Sequence, residues 1–236
     1  PEPMPPEVRI FDNNTRSFEL DTKAIFGEVY WQVSDSLLLT LGLRYSEEEK
    51  SSKQRSIYLG FLDDPTAPDG GYEDFGGEWE EPTGKFNITW DVADDVMTYL
   101  TLSRSYKSGG FNPISASSPV LAEDASLAEF DPEYINAFEV GLKSRFFDQT
   151  LQSNISYFYY DYEGLQISTI NNQTALNLNY DATIQGIEAE FVWVPTDNWR
   201  FSSNLAWLDS AMDGGSSLDT ADINTLGTTE NIISSP

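Results

Sequence analysis

The residues of this chain that could do chemistry are rings, amides and a few cations. In the stretch RSYKSGGFN (104–112), Tyr106, Lys107, Phe111 and Asn112 surround a Gly109–Gly110 pair. Such groups stack on flat surfaces, exchange hydrogen bonds and offer one charge, which is the chemistry of holding rather than of bond breaking. The chain has no cysteine and no histidine. Disulfides, Cys/His zinc sites, thiol nucleophiles and a Ser-His-Asp relay therefore cannot come from it. Lysine and carboxylate bases remain, but no constellation joins them to a nucleophile, so neither an enzyme nor a cofactor is expected. The acidic stretch FLDDPTAPDGGYEDFGGEWEE places Asp63, Asp64, Asp69, Glu73 and Asp74 as oxygen donors of the kind calcium takes. Their spacing does not match an EF-hand loop. A solvated acidic loop without a metal is the expectation.

Charge and hydropathy narrow the classes further. Thirteen Lys and Arg face 39 Asp and Glu, a net charge of −26. That balance opposes nucleic acid, whose phosphates need a basic surface. No apolar run approaches the roughly 20 residues of a membrane-spanning helix, and the opening PEPMPPEVRI lacks the basic and apolar regions of a signal peptide. A β-barrel escapes this exclusion, because its signal is alternation.

The elements that must position these side chains read as strands. Leu37, Leu39, Leu41, Leu43 and Tyr45 alternate with Thr40, Gly42 and Arg44; Phe86, Ile88, Trp90 and Val92 alternate with Lys85, Asn87, Thr89 and Asp91. The same period of two predicts eight strands, at about 23–33, 37–46, 84–92, 96–106, 135–147, 150–168, 179–194 and 198–208. Four connections, at 34–36, 93–95, 148–150 and 195–198, are short and rich in turn formers, whereas those at 47–81, 108–132 and 169–178 and the tail are mostly long. Short and long alternate, so an up-and-down meander gathers the tight turns at one end. Trp31, Trp90, Phe146, Trp193 and Trp199 lie near those turns on the apolar faces, as in an aromatic girdle where headgroups meet hydrocarbon. A soluble β-sandwich would alternate too, but it gives no reason for gathered tryptophans. Most acidic residues fall between the predicted strands, and strand charges such as Lys85, Glu139, Lys143 and Glu188 fall on the polar face. Arg104 is the exception, landing on the apolar face near the long-loop end, where the cost is small.

Four blocks in order, AIFGEVYWQVSDSLLLTLGLRYSEEEK, YLTLSRSYKSGGFN, FDPEYINAFEVGLKSRFFDQTLQSNISYFYYDYEGLQIS and NYDATIQGIEAEFVWVPTDNWRFSSNLAWLDS, resemble the C-terminal barrel of TonB-dependent outer-membrane receptors. The resemblance implies an all-β, antiparallel, up-and-down transmembrane wall, about eight strands of a 22-stranded barrel. It implies residence in the outer membrane of a Gram-negative bacterium, contact with outer-membrane lipid, and import of a ferric siderophore, cobalamin, haem or sugar driven through TonB. Residues 1–236 then form an internal portion of the barrel, with the plug and the TonB-contacting region outside this chain. The rival is a complete eight-stranded barrel acting as a passive porin or adhesin. Ligands of the family bind at the loop end, which makes Tyr106, Lys107, Phe111, Asn112, Tyr134, Tyr160 and Gln166 the candidate contacts, for a siderophore or other small nutrient. In that setting Tyr106 can anchor at the interface, Lys107 can meet lipid headgroups or the ligand, and the glycine pair lets the chain bend.

Overall fold

A computed structural model describes residues 11–58, 66, 68–113, 125–171, 174–218 and 232–235. Eight long strands form one antiparallel sheet: β1 (Phe11–Ser34), β2 (Leu37–Tyr58), β3 (Glu73–Ala93), β4 (Val96–Lys107), β7 (Glu133–Phe146), β8 (Leu151–Asn171), β9 (Thr174–Thr196) and β10 (Trp199–Met212). Their order in space is their order in sequence. Between β4 and β7 two short strands, β5 (Gly110–Phe111) and β6 (Glu129–Phe130), pair with each other, as do β11 (Gly215–Leu218) and β12 (Ile232–Ser235) near the end. β1 and β10 stand at the two edges and do not pair with each other, so the eight strands do not close on themselves among the described residues.

Register turns the alternation into two chemically different faces. One row runs Leu41–Phe86–Leu102–Phe138–Tyr159 across five strands, and the row beside it, on the opposite face, runs Gly42–Lys85–Ser103–Ala137–Tyr160. A one-residue slip would exchange these faces, which fixes the pairing. The apolar face is left open. Trp31, Trp199 and Leu205 on it are each about 62% exposed, and Trp90, Phe146 and Trp193 are also exposed at the tight-turn end. Among the described residues the buried apolar side chains are Phe158, Leu176 and Ala182, while the buried polar ones include Thr40, Ser46, Ser52, Gln54, Asn112 and Ser153. A water-soluble sheet reverses that distribution. Here the solvent of the apolar face is hydrocarbon, and no helix among the described residues is long and apolar enough to cross it.

The tight turns close at Asp35–Ser36, Asp94–Asp95, Phe147–Thr150 and Asp197–Asn198. In the third, Phe147, Asp148 and Gln149 all adopt left-handed backbone, with φ of 54°, 53° and 66°. The Thr150 amide and hydroxyl both donate to the Phe147 carbonyl, at 3.2 Å and 2.8 Å.

The loop-end strands run much further than alternation of hydropathy indicates. The segments expected to be loops at 47–81 and 169–178 are largely strand: β2 continues to Tyr58, β3 starts at Glu73, and β8 and β9 pair up to Asn171–Thr174. β1 likewise begins at Phe11 rather than near residue 23. Above the hydrocarbon both faces meet water, so charged residues sit on either face and the hydropathy pattern disappears, yet the backbone groups still pair. Glu49 lies opposite Glu78 and Glu47 opposite Glu80, arrangements that repel. Lys23 opposite Glu47, and the Tyr45 hydroxyl donating to Glu80 at 2.7 Å, offset part of that repulsion.

Candidate functional site

The upper part of β2 presents Ser46, Glu48, Lys50, Ser52 and Gln54 on the same face as Thr40, and upper β3 presents Phe75, Trp79 and Glu81 beside them. Pairing of β3 with β4 ends at Gly84–Arg104, whereas β2 and β3 stay paired to Gln54–Glu73. β4 therefore parts from β3 here, and the segment after it turns onto this polar face.

Residues 106–112 are tied to β2 along their length. The Tyr106 hydroxyl donates to Glu48 Oε1 at 3.0 Å and the Ser108 hydroxyl to Oε2 at 2.6 Å. Lys50 Nζ donates to the Gly109 carbonyl at 2.8 Å, and Gln54 Nε2 to the Asn112 carbonyl at 2.9 Å. Ties also reach the far strands. Asn112 Nδ2 donates to the carbonyls of Leu127 and Asn177, both at 3.0 Å, and Asn112 Oδ1 accepts from the Asn177 amide at 2.7 Å. Gln166 Nε2 donates to the carbonyls of Ser108 and Asp131 at 3.0 and 3.1 Å. The segment is a strap between β2 and β9. Glycine is required where it crosses: a Cβ on Gly109 would lie 2.4 Å from the Phe130 carbonyl oxygen, and one on Gly110 would lie 2.6 Å from the Phe130 ring.

A cleft of about 410 Å³ opens beside the strap, lined by Phe18, Lys50, Gln54, Phe111, Phe130 and Asn177 among others. Phe111 packs on Phe75 and Trp79, with ring centroids 5.5 and 6.4 Å apart, and Lys50 Nζ lies 5.3 Å over the Trp79 ring. Flat apolar walls with amides and one cation can hold a planar polar ligand.

The sequence candidates divide accordingly. Phe111 is on the cleft wall, and Lys107 is exposed nearby. Asn112 and Gln166 are fasteners; Asn112 is fully buried. Tyr106 does not serve as a free interface anchor, because Glu48 takes its hydroxyl and its ring stacks on Tyr134 with centroids 6.4 Å apart. The Tyr134 hydroxyl donates to Glu81, and Arg104 lies 4.7 Å over the Tyr134 ring while donating to Asn136 and Glu163 at 2.7 and 3.3 Å. Burial, then Glu81, pushes the Tyr134 phenol up to about 12; burial, then Glu48, pushes Tyr106 up as well. Both remain neutral donors. Tyr160 sits lower on the polar face, stacked on Phe158 at 4.9 Å and outside the cleft lining. Of the acidic candidates, Asp69 is held low by Lys53 and Arg16, at 2.5 and 3.0 Å, and Asp74 lies 3.3 Å from Lys53; Asp63 and Asp64 fall outside the described residues. No cluster fit for a metal occurs among the described residues.

Sequence reasoning missed Lys50, Gln54, Phe18, Trp79, Phe130 and Asn177. Carrying the period of two beyond Ser46 would have put Lys50 and Gln54 on the face of Thr40. The acidic run obscured it.

Residues 2–232 match the TonB dependent receptor-like, beta-barrel family. The chain belongs to that family. This TonB-dependent receptor chain is 24% identical over 186 residues to the Pesticin receptor of Yersinia enterocolitica serotype O:8, and equally to that of Yersinia pestis. Each alignment covers 78% of this chain and 26% of the relative, so the chain spans about a quarter of the length of those relatives. The ferric yersiniabactin uptake receptor FyuA from Yersinia pestis shares its fold, with TM-score 0.62 and 18% identity over 83% of this chain and 27% of that one. The siderophore receptor PiuA from Acinetobacter baumannii does so with TM-score 0.61 and 20% identity over 86% and 27%. The copper transporter OprC gives TM-score 0.63 and 20% identity over 81% and 29%. The open apolar face of the TonB-dependent receptor sheet is thereby explained: it belongs in the outer membrane of a Gram-negative cell.

Proposed function

We propose that this chain is part of the barrel wall of an active importer that captures a scarce nutrient, a ferric siderophore, outside the cell and moves it inward with energy delivered through TonB. The observation that carries the reading is the cleft at the loop end of the polar face, where Phe18, Phe111 and Phe130 meet Lys50, Gln54 and Asn177. A planar, oxygen-rich iron chelate is matched by flat walls plus hydrogen-bonding groups. Membership in a family of TonB-dependent receptors supports import, and the relatives named Pesticin receptor fit a wall whose outer end meets extracellular molecules. On this reading Trp31, Trp90, Phe146, Trp193 and Trp199 form the girdle at the inner headgroup level.

Radioiron uptake tests it. Iron-starved cells carrying the full-length protein are given ferric complexes of catecholate, hydroxamate and citrate type. Uptake from at least one, abolished by an uncoupler and reduced about tenfold by Phe111→Ala together with Trp79→Ala at unchanged barrel abundance, is the expected result. Absence of uptake from all three would end the siderophore reading.

A further inference from the structure

Lys50 lines the cleft, and its surroundings are electrically unusual for this molecule. Its ammonium gives one proton to the Gly109 carbonyl and leans over Trp79, which leaves further donors free for a guest. The ion pairs among the described residues use Arg16, Lys53, Lys85 and Arg104; Lys50 forms none. The carboxylate next along its own face, Glu48, is engaged by the hydroxyls of Tyr106 and Ser108. Lys107 is close enough for its charge to oppose that of Lys50. Lys50 thus faces a second ammonium and a carboxylate already engaged by two hydroxyls, in a chain whose net charge is −26.

We infer that Lys50 is the charge-selecting residue of the cleft, and that the cleft accepts a planar ring bearing an ionised oxygen, a carboxylate or a phenolate. This rests on the reading of the cleft as the ligand site. Phe18 and Phe111 supply flat surfaces for the ring, and the half-buried Lys50 supplies a charge-assisted hydrogen bond to the oxygen. The acidic exterior does not cancel this preference, because exposed charges beyond about 8 Å are screened at physiological salt, whereas a contact inside a cleft is not. Burial lowers the affinity of Lys50 for its proton; Glu48 works against that shift, and Lys107 adds to it. The preference should therefore fade on raising the pH, and should do so below the pH at which an ordinary lysine discharges.

Saturation-transfer NMR of the full-length protein in detergent micelles, with benzoate and its neutral isostere benzamide as probes, decides the matter. Wild-type protein should bind benzoate about tenfold more tightly than benzamide. Lys50→Met should remove the difference, Lys50→Arg, which keeps a donor for the Gly109 carbonyl, should keep the difference up to higher pH, and Phe111→Ala should weaken both probes. An undiminished benzoate preference in Lys50→Met, with Phe111→Ala still weakening both probes, overturns the role of Lys50 and leaves the cleft standing. If Phe111→Ala changes neither probe, or neither probe binds, the cleft reading falls and the selection by Lys50 falls with it.

Discussion

At the scale of single residues, Asn112 shows how a polar side chain earns a buried place in this wall. Its amide spends both ends on backbone groups of Leu127 and Asn177, and its own backbone amide donates to the Ala128 carbonyl at 2.8 Å. Truncation strands the Asn177 amide and two carbonyls at a site closed to water. Asn112→Ala should therefore cost about 1–3 kcal/mol locally, seen as roughly tenfold or greater acceleration of hydrogen exchange at the Asn177 amide, with the Leu41–Phe86 ladder unaffected. Equal exchange in both proteins would mean that the strap is held elsewhere. The sequence marks Asn112 as a polar group after a glycine pair, which suits a ligand contact as well as a fastener. Only its position opposite Asn177, sixty-five residues on, separates the two roles. Phe111 was legible as an aromatic near a loop; Lys50 was not, since nothing in EEEK tells an inward lysine from a solvated one.

At the scale of elements, the face assignment makes a sharp distinction between neighbours on β10. Leu205 is 62% exposed on the apolar face, and Asn204 next to it lies on the polar face, paired with Glu190 of β9. Leu205→Arg should destabilise the barrel by about 2–4 kcal/mol in urea unfolding from lipid vesicles, whereas Asn204→Arg should cost little. Comparable costs for the two would contradict the faces. The turn after β7 offers a gain: three consecutive left-handed residues without glycine are each disfavoured, so Asp148→Gly should add about 1 kcal/mol in the same assay. Strand existence was legible wherever one face touches hydrocarbon, because lipid enforces alternation in Leu37–Tyr45 and Phe86–Val92. It was not legible in Glu47–Tyr58 or Glu73–Glu81, where the backbone ladder continues but side chains obey no solvent boundary.

At the scale of the whole molecule, the sheet is a partition between two solvents. Single-tryptophan variants of the full-length protein in vesicles of brominated lipid should show strong quenching for Trp31, Trp90, Trp193 and Trp199, and little for Trp79, which lies over the strap on the other face. Strong quenching of Trp79 would place the cleft in the bilayer and remove it from consideration. Architecture was readable because turn lengths, tryptophan positions and charge all report the same boundary; the cleft was not, because it forms from β1, β2, the strap and β9, which only the folded chain brings together.

The continuous ladder of β1, β2 and β3 above the hydrocarbon bears on how the cell surface can be engineered. An epitope inserted between residues 46 and 58 would look harmless from composition, yet it would split hydrogen-bonded rungs that run from Ser46–Glu81 to Gln54–Glu73 and displace the lysine and glutamine that hold the strap. Cell-surface detection and the cleft would then be lost together, and a display graft at that acidic stretch would report a broken wall instead of a tagged one.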